Sequence, residues 1–259
     1  MDIRDVYDNY YKYIYNYALK LTCHPEDALD VTQDTFMKAI EKLDTLEHEN
    51  AIASWLRTIC FHEFINKTKK EPNKYLVEPA NWEILLEEDG FITNPLVLPE
   101  DEIIVEEEIR ELQNGCFLAM VRRLTLNQRI TFSLVDMYGL PIEFVASMLE
   151  INKGAAKGLL YRARMNIDSF FADHCSIIYE KNPCSCKAWI SFSLNRSNLQ
   201  NQANQLMKAL DYKSKNYAYN AEVRKRVLYL YSHMPEQKPS AEWYQNILTI
   251  LISANKNNL

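Results

Sequence analysis

Residues 141–171 read PIEFVASMLEINKGAAKGLLYRARMNIDSFF and are the most informative about the fold. Apolar side chains recur at helical spacing on both sides of a short break. This pattern predicts a helix over residues 141–149, a turn at Glu150–Asn152 and a helix over residues 153–171. Two helices joined by such a turn form the helix-turn-helix arrangement, whose second helix enters the major groove of DNA. A packed hairpin with a solvated basic face is the competing interpretation.

The second helix of this pair carries basic side chains that suit binding to nucleic acid. A recognition helix needs cations at its ends and flanks, because these neutralise the phosphates beside the groove. We predict that four residues of this helix bind DNA: Lys153, Lys157, Arg162 and Arg164.

Working outward, the pattern divides the chain into four segments. The pattern predicts a three-helix domain over residues 1–70. Its helices are expected over residues 2–22, from Pro25 to about Leu43, and over residues 52–69. Residues 71–111 hold 13 acidic and two basic residues and four prolines, which indicates an acidic linker. Residues 112–174 contain the helix-turn-helix. Residues 175–259 form a helical extension that we interpret as regulatory. The fold class is therefore all-α.

Composition excludes several classes of protein. The chain has 259 residues, a formal net charge of −6 and five glycines, whose spacing nowhere matches a phosphate-binding loop. No apolar run approaches the length of a membrane span, and the first residues lack a secretory signal, so we expect a cytoplasmic protein. No set of residues has the spacing of a catalytic constellation, so we expect that the chain is not an enzyme.

Cysteines near the start of the extension raise the question of a metal site. Three thiols and an imidazole fall within thirteen residues, and together they have the chemistry of a tetrahedral zinc site: His174, Cys175, Cys184 and Cys186. We consider zinc or another thiophilic metal, thiol redox sensing and plain reduced cysteines as alternatives. No cofactor is required by the rest of the pattern. Three further cysteines lie in apolar helical settings, which predicts core positions: Cys23, Cys60 and Cys116.

Two groups of motifs together resemble a known family. Residues 27–36 (DALDVTQDTF) followed by residues 55–59 (WLRTI) resemble the second conserved region of bacterial sigma factors. Residues 124–129 (LTLNQR), 138–146 (YGLPIEFVA), 154–157 (GAAK) and 161–164 (YRAR) resemble the fourth region. The order and the acidic linker also match. The chain is therefore similar, over about residues 5–174, to extracytoplasmic-function (ECF) sigma factors of the sigma-70 family.

The resemblance implies roles for particular residues. It implies that core RNA polymerase binds the second helix through Asp30, Gln33, Asp34 and Phe36. It implies that the third helix binds the −10 promoter element through Trp55, Arg57, His62, Asn66, Lys67, Lys69 and Lys70. The loop from Leu43 to Ser54 corresponds to the segment that holds a flipped base. The four cations of the recognition helix would bind the −35 element.

Departures from the family pattern affect both promoter elements. His62 and Asn66 replace the usual Asn and Asp, so the −10 preference is expected to be unusual. Gly154–Leu159 lacks the hydroxyls and one arginine common in the family, so fewer direct DNA contacts are expected.

The sequence analysis thus predicts an initiation factor that binds core RNA polymerase and promoter DNA and assists promoter melting. Whether an anti-sigma factor is a further partner stays open, and we expect no membrane partner. Two alternatives stay open: an autonomous helix-turn-helix regulator of transcription, and a thiol or metal sensor that acts through protein contacts.

Overall fold

The structure is a computed structural model that describes residues 2–46, 48–71, 117–118, 120–122, 124–182, 217–232, 234 and 236–257. Every secondary-structure element of these residues is a helix, so the all-α prediction is confirmed. The chain divides into two compact units. The first contains Met1–Tyr75 and Glu236–Leu259, and the second contains Leu76–Pro235.

The first unit is built on three long helices close to the predicted bounds: α1 (Ile3–Thr22), α2 (Pro25–Lys42) and α3 (Ile52–Lys70). The Asp2 side chain caps α1 by accepting from the Arg4 amide at 3.1 Å. The helix ends at Cys23, which adopts the left-handed conformation with φ of 54°. Pro25 then occupies the first turn of α2, where its missing N–H costs no hydrogen bond.

The core of the first unit lies between these helices. Its largest fully buried side chains are aromatic or long aliphatic groups: Tyr7, Tyr17, Phe36, Phe64, Ile3, Ile14, Leu21 and Leu56. Cys23 and Cys60 are buried among them, as predicted, and burial raises the pKa of the Cys60 thiol to about 12. Cys116 lies outside the described residues.

The second unit contains the helix-turn-helix. Helix α4 (Leu126–Phe132) continues into a π-helical turn at Ser133–Met137, and α5 (Ile142–Met148) and α6 (Lys153–His174) follow. Between α5 and α6, Glu150 adopts a left-handed conformation with φ of 55°. The Asn152 side chain then caps α6 by accepting from the Ala155 amide at 2.8 Å. The predicted turn is confirmed.

The C-terminal extension contributes one described helix to each unit. Helix α7 (Ala221–Ser232) belongs to the second unit, where Val223, Val227 and Tyr231 are buried. Helix α8 (Ala241–Asn257) belongs to the first unit. The predicted helical pattern around Leu206 and Leu210 lies outside the described residues. Among the helices that the structure describes, none has an apolar stretch that could cross a bilayer.

Candidate nucleic-acid and partner-protein interfaces

Helix α2 presents a polar face opposite the core. Asp30 is exposed, and Gln33 and Asp34 are partly exposed. Asp34 Oδ2 lies 2.8 Å from Lys67 Nζ of α3, so this carboxylate already has a basic neighbour. Phe36 is fully buried, edge-on to Tyr7 with ring centroids 4.9 Å apart. The acidic and amide groups are therefore placed for contact with a partner, whereas Phe36 contributes to the core beneath them.

Helix α3 places the predicted −10 residues along its length. Trp55 is half-buried. Arg57 donates to the Tyr13 hydroxyl at 2.7 Å, which orients its guanidinium. His62 and Asn66 are exposed one turn apart, so the two departures from the family pattern lie on the same face.

Three lysines end α3. Lys69 and Lys70 are exposed, and Lys67 pairs with Asp34. Cations in the last turn of a helix interact favourably with its negative end. The same positive charges are also suited to contact with the phosphates of a nucleic-acid backbone. The segment before α3 forms two short 3₁₀ turns, Leu43–Thr45 and Glu49–Ala51, neither of which buries a side chain.

The recognition helix α6 buries one face and exposes the other. Ala156, Leu160, Ala163 and Ile167 are buried at helical spacing. Lys157 and Arg162 point away from this core and are exposed. Lys153 is exposed as well, and its ammonium lies 2.5 Å from the Glu143 carboxylate of α5. This hydrogen bond lowers the pKa of Glu143. The exposed face is therefore basic.

Arg164 has a different environment from the other three cations. It donates from Nε to Asp136 Oδ2 at 2.8 Å and from Nη2 to Asp136 Oδ1 at 2.5 Å. Asp136 also accepts from Arg224 of the extension. This bidentate pair directs the guanidinium of Arg164 toward the protein and gives this residue a structural role. A role of Arg164 in DNA binding stays a prediction.

Two exposed aromatic side chains were missed by the sequence analysis. Tyr161 of α6 is 60% exposed and Phe144 of α5 is 50% exposed. Tyr161 stands on the same outward face as Gly158 and Gly154, which lie about one and two turns earlier in α6. An apolar contact with a thymine methyl group is one way in which side chains read the major groove. Helical spacing from the buried Ala156 could have revealed the exposure of Tyr161.

The predicted metal cluster is only partly described. Cys184 and Cys186 lie outside the described residues. The His174 ring stacks on Phe170, and its Nδ1 is 3.0 Å from the Phe170 carbonyl oxygen. Cys175 is buried, and burial raises the pKa of its thiol, which disfavours the thiolate that a metal needs. In the part of the chain that the structure describes, no group of three His, Cys, Asp or Glu could hold a metal.

The fold and the exposed residues define a class of protein. One helical unit has an acidic face and a row of lysines, and the other has a helix-turn-helix whose recognition helix exposes cations. That combination is typical of a helical DNA-binding protein with a protein partner.

Comparison with known proteins identifies the family. The model for sigma-70 region 2 matches residues 6–72, and the model for sigma-70 region 4 matches residues 114–167. The chain belongs to the sigma-70 family, in its ECF branch, and is a sigma factor that directs RNA polymerase to promoters. The family and function predicted from the sequence are confirmed, and the two alternatives are not favoured.

Individual relatives agree with this assignment. The RNA polymerase sigma factor YlaC of Bacillus subtilis (strain 168) is 27% identical over 165 residues, which cover 64% of this chain and 89% of that protein. The ECF RNA polymerase sigma-E factor of Escherichia coli (strain K12) is 26% identical over 149 residues, which cover 55% and 73%. A solved structure, RpoE with the anti-sigma factor NepR from Bartonella quintana, is 22% identical with a TM-score of 0.43, covering 64% and 94%.

Proposed function

We propose that the two units divide the work of this sigma factor. The first unit binds core RNA polymerase through α2 and the −10 element through α3. The second unit binds the −35 element through α6. The observation that carries this proposal is that the exposed side chains of each helix have the charge that its partner requires: acidic and amide groups on α2, and cations on α6 and at the end of α3.

The polymerase contact is assigned to the polar face of α2. Asp30, Gln33 and Asp34 recur at helical spacing on the side away from the core. A carboxylate-rich helix face complements a basic partner helix and increases the rate of encounter. Phe36 supports this face from beneath and does not itself reach the partner.

The −10 contact is assigned to α3. Lys69 and Lys70 are free to approach the DNA backbone, and His62 and Asn66 share an exposed face on which bases could be read. Single-strand capture needs cations for the backbone together with surfaces for extruded bases. The half-buried Trp55 and the oriented Arg57 contribute to the surface for extruded bases.

The −35 contact is assigned to Lys157 and Arg162, with Lys153 at the flank. Lysine and arginine contacts with phosphates fix the register of a recognition helix on DNA. We add Tyr161 as a residue that contacts base edges, since its ring is the largest exposed apolar group of α6.

This function places the protein in the cytoplasm, where RNA polymerase and the promoters are found. An anti-sigma partner, whose existence the resemblance leaves open, is not needed for this function. The cysteines of the extension are likewise not needed for it.

In vitro transcription tests the proposal. Core RNA polymerase is incubated with the full chain and fragmented genomic DNA, and the starts of the transcripts are mapped. We expect a set of starts that depends on the protein and disappears with Lys157→Ala/Arg162→Ala. The matched control is Lys181→Ala/Lys225→Ala, which removes two exposed cations of the second unit from outside α6. If no transcript depends on the wild-type protein, or if both double variants lose the transcripts equally, the proposal is wrong.

A further inference from the structure

Helix α1 is buried on two opposite faces. Its inner face holds Ile14, Tyr17 and Leu21, which are at most 1% exposed. Leu19 lies about 160° around the helix from Leu21, at 100° per residue, and Tyr15 lies near it. Both of these outer residues are only 4% exposed. A helix that is apolar on opposite faces needs cover on both sides. Within the first unit α2 and α3 pack on α1, and so does α8 of the extension.

Polar groups along α1 fix the segment that leads into α8. The Asn16 side chain donates from Nδ2 to the Gln237 carbonyl at 2.8 Å and accepts from the Gln237 amide at 2.9 Å. Lys12 Nζ lies 2.9 Å from Glu236 Oε2. Because an amide side chain pairs with both backbone groups of one residue, the register of this segment on α1 is defined.

An aromatic cluster continues the contact toward the start of α1. The Tyr244 ring stacks on Tyr7 with centroids 5.2 Å apart and lies 4.7 Å from the Tyr11 ring. The Tyr244 hydroxyl donates to Asp8, and the Tyr7 hydroxyl donates to the Tyr244 carbonyl at 3.3 Å. Tyr7 in turn lies edge-on to Phe36 of α2. Tyr7 therefore links α8 of the extension with α2.

Helix α8 is amphipathic on this surface. Its buried side chains are Ile247, Leu248 and Leu251, which are at most 7% exposed. Ile250 on the other face is 41% exposed. Pro239 in the lead-in is buried as well. Neither family model extends to these residues, so this cover of α1 is additional to the matched regions.

We propose that residues 236–257 are an intramolecular partner segment that completes the polymerase-binding unit, so that polymerase binding depends on the C-terminal end of the chain. The segment covers the outer face of α1 and, through Tyr7 and Phe36, supports the helix that carries the polymerase face. This inference rests on the proposed function of α2, but its structural part can be tested without polymerase.

The test compares two variants of the full chain. Ile247→Asp/Leu251→Asp places charges on the buried face of α8, and Ile250→Asp places one on the exposed face as a matched control. Hydrogen exchange of peptides from residues 3–22 is the structural readout, and co-elution with core RNA polymerase is the functional one. We expect the double variant to exchange at least roughly tenfold faster and to lose co-elution. Ile250→Asp should leave both unchanged.

A synthetic peptide of residues 236–257 provides a rescue. Added to the double variant, it should restore slow exchange in residues 3–22 and restore co-elution. Unchanged exchange in the double variant would overturn the inference, because α8 would then not support α1. Faster exchange with polymerase binding kept or increased would also overturn it, because the segment would then be dispensable or inhibitory. If the wild type itself fails to co-elute, the proposed function fails, while the exchange data still decide whether the segment completes the unit.

Discussion

Replacing Arg224 by alanine would remove the cation that joins α7 to the helix-turn-helix. The Arg224 side chain is 11% exposed and donates to two carboxylates, from Nη2 to Asp136 Oδ2 at 2.5 Å and from Nη1 to Asp168 Oδ1 at 3.0 Å. It also donates to the Tyr231 hydroxyl and lies 5.9 Å from the centre of the Phe132 ring. The substitution therefore removes charge, hydrogen bonds and packing at once.

Asp168 determines the size of the effect. It is fully buried, and its other oxygen, Oδ2, has no partner among the described residues. Asp136 would keep Arg164, but Asp168 would lose the guanidinium that it contacts. Breaking a buried ion pair from one side costs about 3–5 kcal/mol, because the remaining charge is unpaired. At about 1.4 kcal/mol for each factor of ten, amide exchange in α6 should accelerate by roughly two to four powers of ten.

The effect should depend on pH. Burial raises the pKa of Asp168 above its ordinary value, and Arg224 opposes that rise. Without Arg224 the folded-state pKa rises further, so the folded state binds a proton more tightly than the unfolded state does. The free energy of unfolding of the variant then falls as pH rises from about 3.9, the pKa of an aspartate in the unfolded state, through the raised pKa of Asp168 in the folded state. The difference between wild type and Arg224→Ala should therefore shrink as pH is lowered from 7 toward 4.

Hydrogen exchange measured by mass spectrometry, corrected for the intrinsic effect of pH, provides the assay. Lys225→Ala is the matched control, since this neighbouring side chain is exposed. Adding Asp168→Asn to Arg224→Ala should recover part of the protection, because the buried charge is then removed. Exchange within tenfold of wild type at pH 7, or a difference that grows as pH falls, would refute the reasoning.

Three further predictions concern the helix-turn-helix. Glu150→Gly should stabilise the second unit by up to about 1 kcal/mol, because glycine adopts the left-handed conformation at little cost; a lower urea midpoint of unfolding would contradict this. Lys157→Ala/Arg162→Ala should reduce by about two the slope of log affinity against log salt for promoter DNA, measured by fluorescence anisotropy of the complex with polymerase. Tyr161→Ala should instead leave that slope unchanged and weaken discrimination among −35 sequences; a changed slope would contradict the base contact.

Local sequence patterns were sufficient to predict the helix-turn-helix. Helical spacing of Ala156, Leu160 and Ala163 predicts the buried face of α6, and the structure extends the predicted end from residue 171 only to His174. The exposed residues Lys157 and Arg162 follow from the same spacing. This part of the fold depends on neighbours in sequence, which is why a sequence pattern reveals it.

Long-range pairing could not be predicted in the same way. Asp136 and Arg164 are 28 residues apart, so the local pattern of α6 does not reveal that Arg164 pairs with Asp136. The contact between Tyr7 and Tyr244 spans 237 residues. The sequence pattern predicts helices around Val223–Tyr231 and Trp243–Leu251 of the extension, but periodicity does not indicate which unit a helix packs on. The division of α7 and α8 between the two units therefore required the structure.

Size-exclusion chromatography of the full chain with bacterial core RNA polymerase tests the central claim most directly. The wild type is compared with Asp30→Ala/Gln33→Ala/Asp34→Ala and with Asp5→Ala/Glu222→Ala, which removes two exposed acidic residues from other helices. We expect the wild type and the control to co-elute with the polymerase and the triple variant to elute alone. Failure of the wild type to co-elute under low-salt, reducing conditions, or co-elution of all three proteins, would contradict the assignment of α2 as the polymerase-binding helix.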